Sequence, residues 1–459
     1  MSKKLIPSVL ILIILAVGYY MATIYEPKKN NATEHVDVKD SITIYDISAS
    51  DIEKISVENE TGKYSFQKKD KKWVLSGVES ADLSNTAVNS LCYCISSIYA
   101  YDIIEENSKN LSLYGIDKPT ARIQVDSNEE SKLFILGEMV PTGNYYYFYD
   151  GSNVYTISKS IGDTFIKTLD SYRNLTVVKL NTEKVRAITI SGTGESISVE
   201  FSPVKASVEN SYGVVSQWKM TAPILWSVDN EKFIKKIVTP ACDITAQSVI
   251  EDNPVDLSKY NLNKTITIKL DDGIVVYRVG SDSNVNYIYP EGGKAVFSVS
   301  DDEISFLNVE TIDIIEKLLV LEMLTDINAI DINMQNANGN LSVKHKDNCE
   351  LYYLDNTISL SEDAFKAMFK EIVGLSADGL GNKNFHRERF LGKIEIFKVD
   401  GSIRTIKFYD FDEINAAAEI DGNYVFTIKR TKLSSLENSL NKLKEKTNKN
   451  FIIKTEGKL

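Results

Sequence analysis

Three stretches of the chain open on one apolar rhythm. In DIEKISV (51–57), KVRAITI (184–190) and DINAIDI (326–332), an apolar residue is followed three and five positions later by two more. The sets are Ile52, Ile55 and Val57, then Val185, Ile188 and Ile190, then Ile327, Ile330 and Ile332. The last two of each set are two apart, the spacing of one strand face. Alternating segments follow in GKYSFQKKDKKWVLS (62–76, around Trp73), in SISVEF (196–201) with SQWKMTA (216–222, around Trp218), and in NLSVKHKDNCELYYL (340–354). The period then changes. Val88, Leu91, Ile95 and Ile98 form a helical stripe within 82–103, with Asp82 as the expected cap. Phe233, Ile234, Ile237 and Val238 predict a helix in 229–244 that Pro240 must end or kink. Phe365, Met368, Phe369 and Ile372 predict a helix over 361–375, capped by Ser361.

A worded motif comes next. Leu111, Tyr114, Gly115 and Ile116 match Leu257, Tyr260, Asn261 and Leu262, at nearly the same distance from Trp73 and Trp218. Gly and Asn tolerate positive φ most easily, so both copies predict a tight turn between helix and sheet. In the third copy RFLGKIEI (389–396) keeps an aromatic residue and a glycine at this place. Strand-like segments close each copy. Asp-Gly pairs at 150–151, 272–273, 400–401 and 421–422 mark hairpins. Tyr155, Phe297 and Phe426 fall in the last strand, and ten residues after each lie Phe165, Leu307 and Leu436 in a terminal helix. The expected fold is α+β: three repeated units, 42–178, 179–322 and 323–459, each β-β-β-helix-turn-β-β-β-β-helix with mostly antiparallel strands.

The N-terminus changes that picture by adding an anchor. After Lys3 and Lys4 the chain runs uncharged from Leu5 to Tyr25. As a helix this run covers about 31 Å, enough for a hydrocarbon core of about 30 Å. Residues 1–25 are therefore expected to be a transmembrane anchor in contact with the membrane through 5–25, with 26–41 as a polar tether. A cleaved signal peptide is the rival reading, since Ala16-Val17-Gly18 offers a small-x-small site. With no other spanning segment, the expected location is the cell membrane, single-pass, with the bulk of the chain extracytoplasmic.

Composition narrows the function. A chain of 459 residues is too long for one ordinary core. The net charge of −12 lacks the basic footprint of nucleic-acid binding. Cys92, Cys94, Cys242 and Cys349 form no CxxC, so buried free thiols are expected and no disulfide framework or metal site. His35, His345 and His386 lack metal-ligand or triad spacing. Asp271-Asp272 reads as a hairpin turn and Asp301-Asp302 as a helix start. SGTGES (191–196) reads as an inter-strand turn too short to cradle phosphate. No catalytic residue, cofactor or metal is expected.

The pattern resembles the bacterial domain-of-unknown-function family 4340. The residues that carry the likeness are Trp73, Leu111, Tyr114, Gly115, Ile116, Asp117, Pro119, Gly137, Glu138 and the Tyr145–Tyr155 stretch. The resemblance implies a membrane-anchored, outward-facing protein. It also implies genes beside ABC-transporter components of the gliding-motility or export type, and an auxiliary role without catalysis. The expected function is thus a non-catalytic binding or assembly subunit, accessory to an ABC-type membrane transport complex.

NYYYFYDG (144–151) supplies the candidate contact residues. On a strand Tyr145, Tyr147 and Tyr149 share one face while Tyr146 and Phe148 share the other. An outward Tyr face could bury against a partner, stack on a cell-wall glycan, or pack against a neighbouring unit. Near the C-terminus, Leu433, Leu436, Leu440 and Leu443 stripe a basic helix that could rest on anionic lipid or pack on its own sheet.

Overall fold

A computed structural model describes residues 42–202, 216–346, 349–381 and 385–456. The chain divides into two compact units, Met1–Asn174 and Leu175–Leu459.

The first unit starts with β1 (Ile42–Asp46), β2 (Ile52–Asn59), β3 (Gly62–Lys69) and β4 (Lys72–Leu75). Helix α1 (Asn85–Ser96) follows, then β5 (Ser97–Ala100) and β6 (Asp102–Glu105). A 3-10 turn at Leu111–Tyr114 leads to β7 (Ala121–Ser127), β8 (Ser131–Met139), β9 (Tyr145–Tyr149), β10 (Val154–Ser158) and α2 (Lys159–Phe165). Eight strands form one antiparallel sheet in the order β4-β3-β2-β7-β8-β9-β10-β6. The opening rhythm explains its centre. Ile55 and Val57 lie opposite Phe66 and Tyr64 on one side and Val125 and Ile123 on the other, all buried. Val88, Leu91 and Ile95 of α1 complete that core.

The second unit holds two further sheets. Its first part comprises β11 (Thr176–Lys179), β12 (Val185–Gly192), β13 (Ile197–Phe201), β14 (Trp218–Ala222) and β15 (Trp226–Ser227). Then come α3 (Asn230–Phe233), α4 (Thr239–Ala241), β16 (Asp243–Thr245), β17 (Ser248–Asp252) and a 3-10 turn at Ser258–Tyr260. β18 (Lys264–Leu270), β19 (Ile274–Asp282), β20 (Val285–Pro290), β21 (Ala295–Val299) and α5 (Thr311–Ile314) finish it. The order is β15-β14-β13-β12-β18-β19-β20-β21-β17.

The last sheet uses β22 (Ile327–Met334), β23 (Asn338–Lys346), β24 (Cys349–Leu354) and β25 (Ile358–Leu360) before α6 (Glu362–Val373). After α6 come β26 (Gly379–Leu380), β27 (His386–Lys398), β28 (Ile403–Asp410), β29 (Asn415–Ile420), β30 (Tyr424–Lys429) and α7 (Arg430–Glu456). Its order, β25-β24-β23-β22-β27-β28-β29-β30-β26, repeats the same path through the sheet. One buried cluster runs through both sheets of this unit, with Trp226 packed on Phe426 at 4.9 Å between ring centres. The indole of Trp226 donates to the Glu316 carbonyl at 2.7 Å.

The α+β expectation is corrected by this architecture. Strand makes up 48% and helix 22%, so the fold is mostly β. The helix expected over 82–103 is short because sheet reclaims its end. In 82–103, α1 is capped by Ser84, whose Oγ accepts from Ala87 N at 3.3 Å, and stops at Ser96. The rest becomes β5, which pairs with β1, and β6, the far edge of the sheet. Ile98 is buried from a strand instead of a helix. In 229–244 the stripe is interrupted by a π-helical turn at Ile234–Val238. A proline breaks a helix through its missing N–H and through the clash of its ring with the carbonyl four residues back. Widening the turn before Pro240 lets the chain continue to Ala241. Ser361 caps α6 as expected, accepting from Ala364 N. Leu307 sits in a 3-10 turn at Ser305–Asn308, whereas Phe165 and Leu436 are helical and fully buried.

The single-pass, extracytoplasmic placement in the cell membrane is also corrected. Among the described residues no helix is long and apolar enough to cross a membrane. The longest, α7, has 27 residues, but lysine and glutamate are spread along it. Its Leu433, Leu436 and Leu440 are buried in the core and its other face is charged, which hydrocarbon does not tolerate. The anchor expected at 1–25 and the tether at 26–41 lie outside the described residues.

Candidate binding face

Strand alternation in β9 sends Tyr146 and Phe148 inward and Tyr145, Tyr147 and Tyr149 outward. Tyr146 and Phe148 are buried, while the outward three are half-buried. Gly162 of α2 makes the inward packing possible: a Cβ there would come within 2.2 Å of the Tyr146 ring. The Tyr146 hydroxyl donates to Asp163 Oδ1 at 3.0 Å. Lys159, and then Tyr146, hold the Asp163 carboxyl below its ordinary value against the pull of burial.

The outward face changes character across the sheet. On β3, β2 and β7 it carries Ser65, Gln67, Ser56, Lys54, Gln124 and Arg122. On β8 and β9 it carries Leu133 and Ile135, then Tyr149, Tyr147 and Tyr145. Leu133 is 44% exposed. Tyr101, just before β6 and 49% exposed, stacks on Tyr145 with ring centres 4.7 Å apart. Tyr114, from the 3-10 turn, leans on Tyr147 at 5.0 Å and donates to Glu105 Oε2 on β6 at 3.0 Å. Burial and then Glu105 raise the Tyr114 phenol above its ordinary value. Tyr149 donates to the Gly151 carbonyl at 2.7 Å. Thr156, opposite Tyr147 on one side and Asp102 on the other, is buried with its hydroxyl unpaired among the described residues.

The turn that delivers Tyr114 has the predicted backbone. Gly115 has φ +68° and Asn261, its counterpart, φ +48°. The sequence does not point to the other half of the device. A Cβ on Gly137 of β8 would lie 2.1 Å from the Tyr114 carbonyl oxygen, and one on Gly280 of β19 would lie 2.2 Å from that of Asn261. Both turns rest on a strand where only a bare backbone fits. In the third copy this breaks down. Gly392 is not in a turn but inside β27, opposite Met334, and Tyr409 on β28 stands where the glycine of β8 and β19 would be. Phe385 and Phe390 pack on Tyr409 at 5.0 and 5.7 Å, and the long β27 replaces the turn.

The other candidate groups have local partners. Asp271 pairs with Arg186 at 2.7 Å and Asp272 with Lys184 at 2.7 Å. Asp301 accepts from Asn286 at 2.7 Å. His345 bonds the Ile327 carbonyl at 3.0 Å and lies 3.4 Å from Glu350; His35 lies outside the described residues. All four cysteines are free thiols; Cys92 and Cys242 are buried as expected, whereas Cys94 is half-buried and Cys349 exposed. Among the described residues no cluster of three His, Cys, Asp or Glu could hold a metal.

Residues 73–210, and again 218–389, match the family model described as Domain of unknown function (DUF4340). The chain belongs to the DUF4340 family. Each DUF4340 match begins at a tryptophan, Trp73 in β4 or Trp218 in β14, and runs into the opening strands of the following sheet. The DUF4340 segment is therefore offset from the sheet, because β2 and β3, which complete the first sheet, precede Trp73. No curated protein and no solved structure matches this DUF4340 chain.

Proposed function

We propose that this DUF4340 protein is a non-catalytic binding or assembly subunit that docks a protein partner on the outward tyrosines of β9. One observation carries the reading. A single sheet face is polar over β3, β2 and β7 and turns aromatic and apolar over β8 and β9, with Tyr101 and Leu133 left exposed. Aromatic rings with one wet end suit an interface that must also be stable without its partner. The partner expected is a component of an ABC-type membrane transport complex, which the family resemblance supports.

The test is crosslinking followed by affinity purification from detergent-solubilised cells. The native chain should recover a permease or ATPase. The variant with Tyr145, Tyr147 and Tyr149 changed to Ala should lose it while keeping its circular dichroism spectrum. Recovery of the same partner by that variant would refute the reading. Retention of the native chain on purified wall glycan, lost in the variant, would instead favour a polysaccharide-binding role, the second reading that the half-exposed ring of Tyr101 supports.

A further inference from the structure

The second copy shows what the tyrosine face of the first leaves open. Strand register equates the two. Phe148 lies opposite Tyr155 as Ile288 lies opposite Phe297, so Tyr147 matches Tyr287 and Tyr149 matches Tyr289. Ile135 lies opposite Tyr149 as Arg278 lies opposite Tyr289. In the turns Tyr114 matches Tyr260, since each precedes a left-handed residue and donates to a carboxylate nine residues earlier, Glu105 or Glu251. Even the ring pairing repeats: Tyr260 leans on Tyr287 at 5.0 Å and 59°, as Tyr114 does on Tyr147.

The difference lies in the cations. In the second copy the Lys259 ammonium stands 5.1 Å from the Tyr260 ring centre and 2.9 Å from Glu251 Oε2. The Arg278 guanidinium stands 5.5 Å from the Tyr289 ring, its Nε 3.0 Å from Glu291. Each ring is thus filled from within the chain. In the first copy Leu113 takes the place of Lys259 and Ile135 that of Arg278. Leu113 is 67% exposed. Among the described residues no cation stands over Tyr114 or Tyr149. Glu105 accepts from the hydroxyls of Ser108 and Tyr114, neither of which carries a positive charge. Tyr260, under its lysine, is buried, while Tyr114 is half-buried.

We infer that the tyrosine face of the first copy binds a basic segment of its protein partner. A lysine or arginine side chain takes, over Tyr114 and beside Glu105, the position that Lys259 takes in the second copy. A ring face attracts a cation through its quadrupole, and a carboxylate at the ring's hydroxyl adds Coulombic attraction. The chain's net charge of −12 favours the same sign of partner. The inference rests on the reading of this face as a docking surface and names the chemistry it selects.

The experiment uses the full chain and a fluorescein-labelled peptide of alternating Gly, Lys and Arg, read by anisotropy. A peptide with Gln in place of every Lys and Arg is the control. The native chain should bind the basic peptide and not the control. Leu113→Lys, which installs the second copy's own cation, should weaken binding by about tenfold or more. Glu105→Gln should weaken it similarly, and Leu113→Met should leave it unchanged. Leu113 is exposed, so neither of its substitutions touches the core. No binding by the native chain, equal binding of the Gln peptide, or native affinity in Leu113→Lys would each overturn the inference. If the three-tyrosine variant loses the cellular partner while Leu113→Lys keeps it, the docking face stands and the cation preference falls.

Discussion

Replacing Gly280 by alanine would drive a methyl group into the backbone of the turn that carries Tyr260. The added Cβ would lie 2.2 Å from the Asn261 carbonyl oxygen and 2.5 Å from that of Tyr260. An ordinary carbon–oxygen contact is about 3.3–3.6 Å, so the overlap exceeds an ångström and both obstructing atoms are main chain. Either β19 moves or the turn lifts, taking Tyr260 away from Glu251 and Tyr287. Overpacking of this kind costs about 1–3 kcal/mol. The loss of unfolded-state freedom on going from Gly to Ala returns about 0.4–1 kcal/mol, leaving a net loss of about 1–2 kcal/mol. Gly273 is the matched control: it lies in the hairpin before the same strand, has nothing within 4 Å of an added Cβ, and has no positive φ. Gly273→Ala should be neutral or slightly stabilising. The assay is urea unfolding in a Trp73→Phe background, so that fluorescence comes from Trp218 and Trp226, both in Leu175–Leu459. With a slope of about 3 kcal/mol/M, the Gly280→Ala midpoint should fall by roughly 0.5 M relative to the native chain and by roughly 0.7 M relative to Gly273→Ala, which shares the gain from reduced unfolded-state freedom. Equal midpoints would refute the claim that the turn rests on a bare strand.

Two further outcomes follow from other parts of the molecule. Leu440 of α7 is fully buried against the last sheet, so Leu440→Ala should cost about 2–5 kcal/mol by calorimetry, and a cost below about 1 kcal/mol would show that the helix does not belong to the core. Hydrogen bonds from Tyr260, then Lys259, hold the Glu251 carboxyl below its ordinary 4.5. A depressed folded-state value stabilises the fold above the unfolded value, and that stability is lost as pH falls through the folded one. Glu251→Gln should therefore flatten the fall in urea midpoint between about pH 6 and pH 3.5, and an unchanged fall would count against the Tyr260–Glu251–Lys259 contact.

The turn was legible because its requirement is local. Positive φ at Gly115 and Asn261 is written in residue type, and so is the Asp-Gly hairpin between β18 and β19. The same glycine logic misled at Gly392, where the sequence offers a turn residue but Tyr409 on the neighbouring strand leaves no room to seat a turn. Ile98 misled in another way: an apolar residue at helical spacing is equally apolar in a strand, and pairing with β1 decided between them. The tyrosines of β9 were visible as a pattern, but the acid that bonds the turn tyrosine beside them was not singled out, although Glu105 and Glu251 lie nine residues before Tyr114 and Tyr260.

Residue type and periodicity were enough to pick out the recurring opening strands, the strand faces, the hairpins and the split of β9 into an inner and an outer set of rings. Each of these depends on a few neighbours along the chain. The predominance of sheet over helix, the return of β6 and its counterparts to the far edge, and the need for bare backbone at Gly137 and Gly280 emerged only on folding. Those outcomes depend on which distant segments meet, and contact between residues far apart in sequence leaves no mark in local pattern.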